Sequence, residues 1–250
     1  MHVLDAIVRY DAHDAAATRA ASKYIPHGGY TQCLKKDGLK GKRINVPNGF
    51  FQGYGQAQLN VYKQHLATVR KHGAVVIENL NITVDIGSNE GIAMQAEFKI
   101  SLNAYLADLV YSPVRSLAQV IAFNNAHPIE ELMKDFGQPD LIAAQNTNGI
   151  GTVERAAIQR LKELDTEGLE KLMKERQLDA IVVPNSDISS LLAIGGQPGI
   201  IVPAGYNEQG VPFGICFGGL QGYELRLIEM AYAFHGIQSV LRLHAFVLCK

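Results

Sequence analysis

Three short apolar runs near the end of the chain constrain its fold more than any other feature. Ala180-Ile181-Val182-Val183, Gly199-Ile200-Ile201-Val202-Pro203 and the run 211–217 lack polar and apolar alternation. Runs of that length and pattern read as strands covered on both faces. Asn207-Glu208-Gln209-Gly210, between the last two, supplies the turn chemistry of a hairpin. A helical pattern over 223–234 follows and is expected to cover the last strand.

Upstream, 42–46 reads as a short strand, and Pro47-Asn48-Gly49 turns the chain. Leu59, Tyr62, Leu66 and Val69 then recur at helical spacing until Gly73, and 74–77 reads as a buried strand. This is a strand, helix, strand unit. Over 88–111, Met94, Phe98, Leu102, Tyr105 and Leu109 form one apolar stripe, which predicts a helix buried along that stripe and stopped by Ser112-Pro113. Shorter helices are expected at 114–123, 128–136 and 139–145. A longer helix starts near Thr152 and is interrupted at Asp165, Thr166 and Gly168. There is no repeat and no low-complexity linker, so the chain reads as one α/β domain, 1–234, with a tail at 235–250.

Composition narrows the function classes. Of the 250 residues 47% are apolar and 19% charged, with a net charge of −1, which suits a packed core and offers no basic face for nucleic acid. Every long apolar stretch is broken by polar residues before the roughly 20 positions that a membrane span needs, so no membrane partner is expected. Cys33, Cys216 and Cys249 are too few and too far apart for a disulfide framework, which favours a reducing, cytoplasmic setting. The opening residues 1–9 carry an acid inside their apolar stretch and read as an interior helix, not a secretion signal.

Several motifs invite chemistry and have simpler explanations. Asn185-Ser186-Asp187-Ile188-Ser189-Ser190 is a serine-dense loop after a strand, but it has no partnered base in the sequence and reads as a solvated turn whose serines cap a helix. Asp11-Ala12-His13-Asp14 reads as a charged helix end. Gly149-Ile150-Gly151 and Gly53-Tyr54-Gly55 lack the third glycine of a dinucleotide fingerprint and read as turns. His65 and His72 read as a solvated helix face. No Gly-x-Ser-x-Gly elbow and no His-Glu-x-x-His metal motif occurs, so neither metal nor other cofactor is expected. The loop Gly195-Gly196-Gln197-Pro198-Gly199 stands apart, because glycine permits a close approach beside a sheet. Ile194, Gly195 and Gly196 are therefore the candidate wall of a substrate cleft.

The segments Asp179-Ala180-Ile181-Val182-Val183-Pro184, then Ile194-Gly195-Gly196-Gln197-Pro198-Gly199-Ile200-Ile201-Val202-Pro203-Ala204-Gly205-Tyr206, then Gly210-Val211-Pro212-Phe213-Gly214-Ile215-Cys216-Phe217-Gly218-Gly219 resemble the amidase signature family, particularly its plant amidase-like members. Leu4-Asp5-Ala6-Ile7-Val8, Gly38-Leu39-Lys40-Gly41-Lys42-Arg43-Ile44, Ser112-Pro113-Val114-Arg115-Ser116-Leu117 and Ala231-Tyr232-Ala233-Phe234 are also similar to that family's second half.

The resemblance implies a mixed β-sheet flanked by helices, an incomplete version of the family's α/β/α sandwich. It implies hydrolysis of carboxylic amide C–N bonds through an acyl-enzyme. That chemistry needs a serine activated by a lysine through a bridging serine, and backbone N–H groups for the oxyanion. The family carries those groups in its first half, and nothing in this sequence matches them. No catalytic residue is therefore expected here, and an amide substrate is expected only where the other half is supplied. The alternative is a non-catalytic binding or regulatory module that pairs with a chain carrying that half. Unpaired sheet edges would then favour a homo- or hetero-oligomer.

Overall fold

The computed structural model describes the backbone of residues 1–82 and 85–248, with side chains through Ile237. Cys249 and the side chains of the tail beyond Ile237 lie outside the described residues. The chain falls into two compact units, a sheet unit of Met1–Thr83 with Asp165–Lys250 and a helical unit of Val84–Leu164.

The sheet unit carries five strands: β1 (Arg43–Val46), β2 (Val75–Glu78), β3 (Ala180–Pro184), β4 (Gly199–Tyr206) and β5 (Pro212–Gly218). Their order is β2-β1-β3-β5-β4. β1 runs parallel to β2 and β3, while β5 is antiparallel to both β3 and β4, so the sheet is mixed. One face, built from Ile44, Val46, Ala180, Val182, Val202, Phe213, Ile215 and Phe217, packs with Tyr62, Leu66 and Val69 of helix Gln56–Lys71 and with Leu227, Met230 and Phe234 of helix Glu224–Leu248. On the other face Leu192 of helix Ser189–Gly195 lies against Gly199 and Gly218. The alternating pleat sends neighbouring strand residues to these two layers.

The Asn207–Gly210 hairpin forms as its sequence demands. Asn207 Oδ1 accepts from Gln209 N at 3.0 Å and Val211 N at 2.8 Å, and Gly210 takes a positive φ of 78°, a torsion that a side chain resists. Only β3 is buried along its whole length. β2 and β4 are the sheet's edges, and Val75 and Ile201 are exposed there, contrary to the reading of 74–77 as a buried strand and of 199–203 as a strand covered on both faces. Sheet position decides that coverage, and an apolar run of five residues does not encode its own neighbours.

In the helical unit, helix Asn89–Asp108 buries Ala93, Ala96 and Leu106. Met94, Phe98 and Tyr105 of the expected stripe are instead 60%, 43% and 62% exposed. The expected stripe is thus not the buried face. Small alanines allow close packing against helix Thr152–Glu163, and their weak hydropathy hides that face from a periodicity argument. The helix also ends before the expected Ser112-Pro113 stop. Leu109 is already extended, and the Arg115 guanidinium donates to the carbonyls of Leu106 and Leu109, satisfying terminal acceptors. Lys99 Nζ ties this helix to the carbonyls of Gln145 and Thr147 at 2.6 and 2.7 Å.

The shorter helices are Leu117–Ala126, Met133–Phe136 and Pro139–Gln145, so the second is much reduced from the expected span. The expected break at 165–168 is a wide π-helical turn, Leu164–Glu170, before helix Lys171–Glu175. No helix among the described residues is long and apolar enough to cross a membrane.

Candidate functional site

Because β5 opposes both β3 and β4, those two strands point the same way, and the loops 185–188 and 195–198 lie at opposite ends of the sheet. Open α/β sheets bind ligands beyond the carboxyl ends of their strands. At that end β3 runs into Asn185, which takes a φ of 41°. Its Oδ1 accepts from Gly214 N at 2.9 Å and its Nδ2 donates to Tyr54 Oη at 3.1 Å. Tyr54 Oη donates to the Asp187 carboxylate, 2.8 and 3.0 Å from its two oxygens. Beneath it the Tyr62 hydroxyl donates to the Gly214 carbonyl at 2.9 Å.

Both phenols are held in their neutral form. Burial, then the hydrogen bond to Asp187, pushes the Tyr54 hydroxyl above the ordinary tyrosine value. Burial pushes Tyr62 up to about 12. The constellation can therefore donate and accept hydrogen bonds at neutral pH, with Asp187 exposed as its acceptor. It offers no activated nucleophile: among the described residues no basic side chain hydrogen-bonds to Ser186, Ser189 or Ser190. The serines do not cap the helix either, since Ile188 occupies the N-cap position without a side-chain bond.

At the opposite end, Gly195 is the last residue of its helix and Gly196 caps it in the left-handed region at φ 61°. A Cβ on Gly195 would lie 2.3 to 2.6 Å from the carboxylate atoms of Asp165, so only a hydrogen there admits that side chain. Gln197 Nε2 donates to both Asp165 oxygens at 3.2 and 3.3 Å, while Gln197 Oε1 accepts from Gln221 N at 2.7 Å. Gln221 Nε2 closes the ring by donating to the Gly195 carbonyl at 3.1 Å. Asp165 is 7% exposed, and burial is the main cause that raises its carboxyl above the ordinary range.

The three sequence candidates thus part company. Gly195 lines a cavity of about 320 Å³ with Asp165 and Gln197, Ile194 is half-buried, and Gly196 is an exposed cap. The sequence reading placed Asp165 at a helix interruption and Tyr54 and Asp187 in turns, and assigned none of them to a site. Tyr54 and Asp187 are 133 positions apart, and no local pattern joins them. Asn45 also escapes a pattern argument: it is 0% exposed in β1, and neither amide atom has a hydrogen-bond partner among the described residues.

Other motifs resolve simply. Gly53-Tyr54-Gly55 and Gly149-Ile150-Gly151 precede helix starts, and Gly151 N donates to Glu154 Oε2 at 2.8 Å. Asp11 Oδ1 accepts from His13 N just before helix Ala15–Ser22. His72 is exposed, but His65 is not on a solvated face: its Nε2 lies 2.6 Å from the Ala204 carbonyl, and its ring meets Phe234 edge-on. Cys33 and Cys216 are buried free thiols, both raised by burial, Cys216 to about 11. Neither is poised as a thiolate. No cluster of three metal-ligating side chains occurs among the described residues.

A comparison with protein-family profiles finds no match. The chain is 52% identical over 240 residues to a probable amidase of Arabidopsis thaliana, an alignment covering 94% of this chain and 45% of that protein. It is similar to the native peptide amidase of Stenotrophomonas maltophilia, with a TM-score of 0.81, 32% identity, and coverage of 95% of this chain and 50% of the other. An amidase family protein from Bacillus anthracis superposes with a TM-score of 0.82 at 28% identity, over 94% of this chain and 45% of that one. The chain spans about half the length of the relatives it matches. With the mixed sheet and its helices, these likenesses place the chain in the amidase signature family, matching the family's C-terminal half.

Proposed function

We propose that these 250 residues are the scaffold half of an amide-hydrolysing domain and do not break amide bonds by themselves. The observation that carries this reading is the 32% identity and 0.81 TM-score to a peptide amidase over half of that enzyme. Hydrolysis of a carboxylic amide needs an activated nucleophile and preorganised donors for the oxyanion. The phenols and thiols described above are neutral, and no Ser-Ser-Lys relay is recognisable in the sequence. In this reading the chain supplies sheet and cleft wall, including Ile194, Gly195 and Gly196. An amide substrate binds only when the other half completes the site. We also infer a cytoplasmic location, supported by the buried thiols of Cys33 and Cys216.

A second reading, a binding or regulatory module that pairs with a chain carrying the complementary half, is favoured by the large apolar side chains exposed on helix Asn89–Asp108. Sheet edges β2 and β4 give a further route to pairing in homo- or hetero-oligomers.

One experiment addresses both readings. The purified chain is expected to release no ammonia from primary carboxamides and to resist fluorophosphonate labelling. Co-expression with the N-terminal half of a relative is expected to restore hydrolysis under the first reading, and to give a stable but inactive complex under the second. Labelling of the chain alone that disappears on one Ser→Ala change would overturn both.

A further inference from the structure

The cavity beside Gly195 holds a buried carboxylate, Asp165, that feels the charge of Lys174 in the cavity wall but forms no direct ion pair with it. It lies wholly within the sheet unit, encloses about 320 Å³, and is lined by Tyr24, Asp165, Glu170, Lys174, Gln197 and Tyr223, among others. Lys174 pairs with Glu170, its neighbour one helical turn away. Asp165 has no ion-pair partner within 4 Å among the described residues. The donor that reaches it is the neutral amide of Gln197, which is itself fixed through Gln221. A carboxylate buried to this degree is costly unless it meets charged or multiple donors. The glutamines are held in the ring around Gly195, Gln197 through its carbonyl and Gln221 through its amide nitrogens.

We propose that this cavity is a binding site for a small organic cation, a guanidinium or an alkylammonium group, whose N–H donors meet the Asp165 carboxylate. Three features select that class. The carboxylate accepts paired donors, and a guanidinium presents them in matching geometry. Tyr24 and Tyr223 furnish aromatic walls that cover an alkyl stem, while Lys23 and Arg226 already lie over their rings at 4.7 and 4.2 Å from the centroids. The two acidic side chains disfavour an anion, and among the described residues no third metal-ligating side chain joins them to favour a metal ion. A purely structural clasp accounts for the glutamine ring but not for an open volume against the buried charge. The cavity shares Gly195 with the cleft wall of the amidase reading, but the inference rests on Asp165, so binding measured on this chain alone separates the failure of one from the failure of the other.

The test is titration of the full 250-residue chain with methylguanidinium and with methylammonium, followed by heteronuclear NMR. Methylurea, the neutral isostere of methylguanidinium, serves as the comparison ligand. Saturable binding of either cation is expected in the millimolar range, weakened at least tenfold in Asp165→Asn and missing for methylurea. Circular dichroism establishes that both proteins are folded, because Asp165→Asn keeps the side-chain shape and its bond to Gln197. The proposal falls if neither cation saturates the folded protein, if Asp165→Asn weakens binding less than tenfold, or if methylurea binds equally well. Binding here without any hydrolytic activity leaves the cation site standing and bears only on the amidase reading.

Discussion

Phe217 and Phe234 in the sheet unit are fully buried, whereas Met94, Phe98 and Tyr105 in the helical unit stand in solvent, although all five lie in regular elements rich in apolar residues. In the sheet unit two helices close over one face of the strands, and large side chains meet large side chains. Among the described residues the helical unit buries four alanines, Ala93, Ala96, Ala144 and Ala157, and four leucines, Leu106, Leu117, Leu161 and Leu164, but none of its aromatic side chains. The difference shows that an amphipathic pattern fixes which residues share a face without fixing what covers it. A face built from Met and aromatic residues and left open is suited to a further protein surface.

The sharpest way to break the comparison is a cavity mutation. Phe217→Ala is expected to lower stability by about 3–5 kcal/mol, as emptying a filled aromatic site does, measured by denaturant unfolding. A loss under about 1 kcal/mol would mean that the sheet unit is no better packed than the helical one.

A smaller effect is expected where the sheet unit clasps its last helix. Glu229 pairs with Lys35 at 2.8 Å and Lys42 at 2.9 Å. Burial pushes its carboxyl up, but the hydrogen bonds and charges of both lysines prevail and hold it below the ordinary value of 4.5. A depressed acid stabilises the fold above its unfolded pKa and loses that contribution as pH falls through its folded one. Glu229→Gln is therefore expected to cost about 1 kcal/mol near neutrality. The gap between the proteins should narrow as pH falls below about 4.5, and a gap that widens in acid would refute the assignment.

The smallest change in stability is expected on the open face. Met94→Ser combined with Phe98→Ser should alter unfolding by less than about 0.5 kcal/mol in the isolated chain. The same pair should reduce self-association in sedimentation velocity. A large loss of stability would show that this face is packed internally, and the contrast between the units would vanish.

How far the sequence discloses this architecture depends on the range of each interaction. The hairpin was legible because Asn207 and Gly210 act within four residues of one another. The helix over Leu59, Tyr62, Leu66 and Val69 was legible because its buried residues are also its large apolar ones. Helix Asn89–Asp108 misled at its surface because alanine carries little hydropathy, and the coverage of β2 and β4 depended on strand order. At the candidate sites, Gly195 announced a close approach but not its partner, Asp165, which arrives from a different helical turn. Tyr54, Asn185 and Asp187 meet only through the pairing of distant strands.

Gly214 is gripped on both sides of its peptide, through its N–H by Asn185 and through its carbonyl by Tyr62. The start of β5 is thereby moored by two side chains that belong to neither arm of the hairpin. The reversal at Asn207–Gly210 is relieved of setting alignment and becomes a replaceable joint. A short peptide tag spliced between Glu208 and Gln209 should ride there as a passenger, giving a handle for immobilising the chain with its sheet intact.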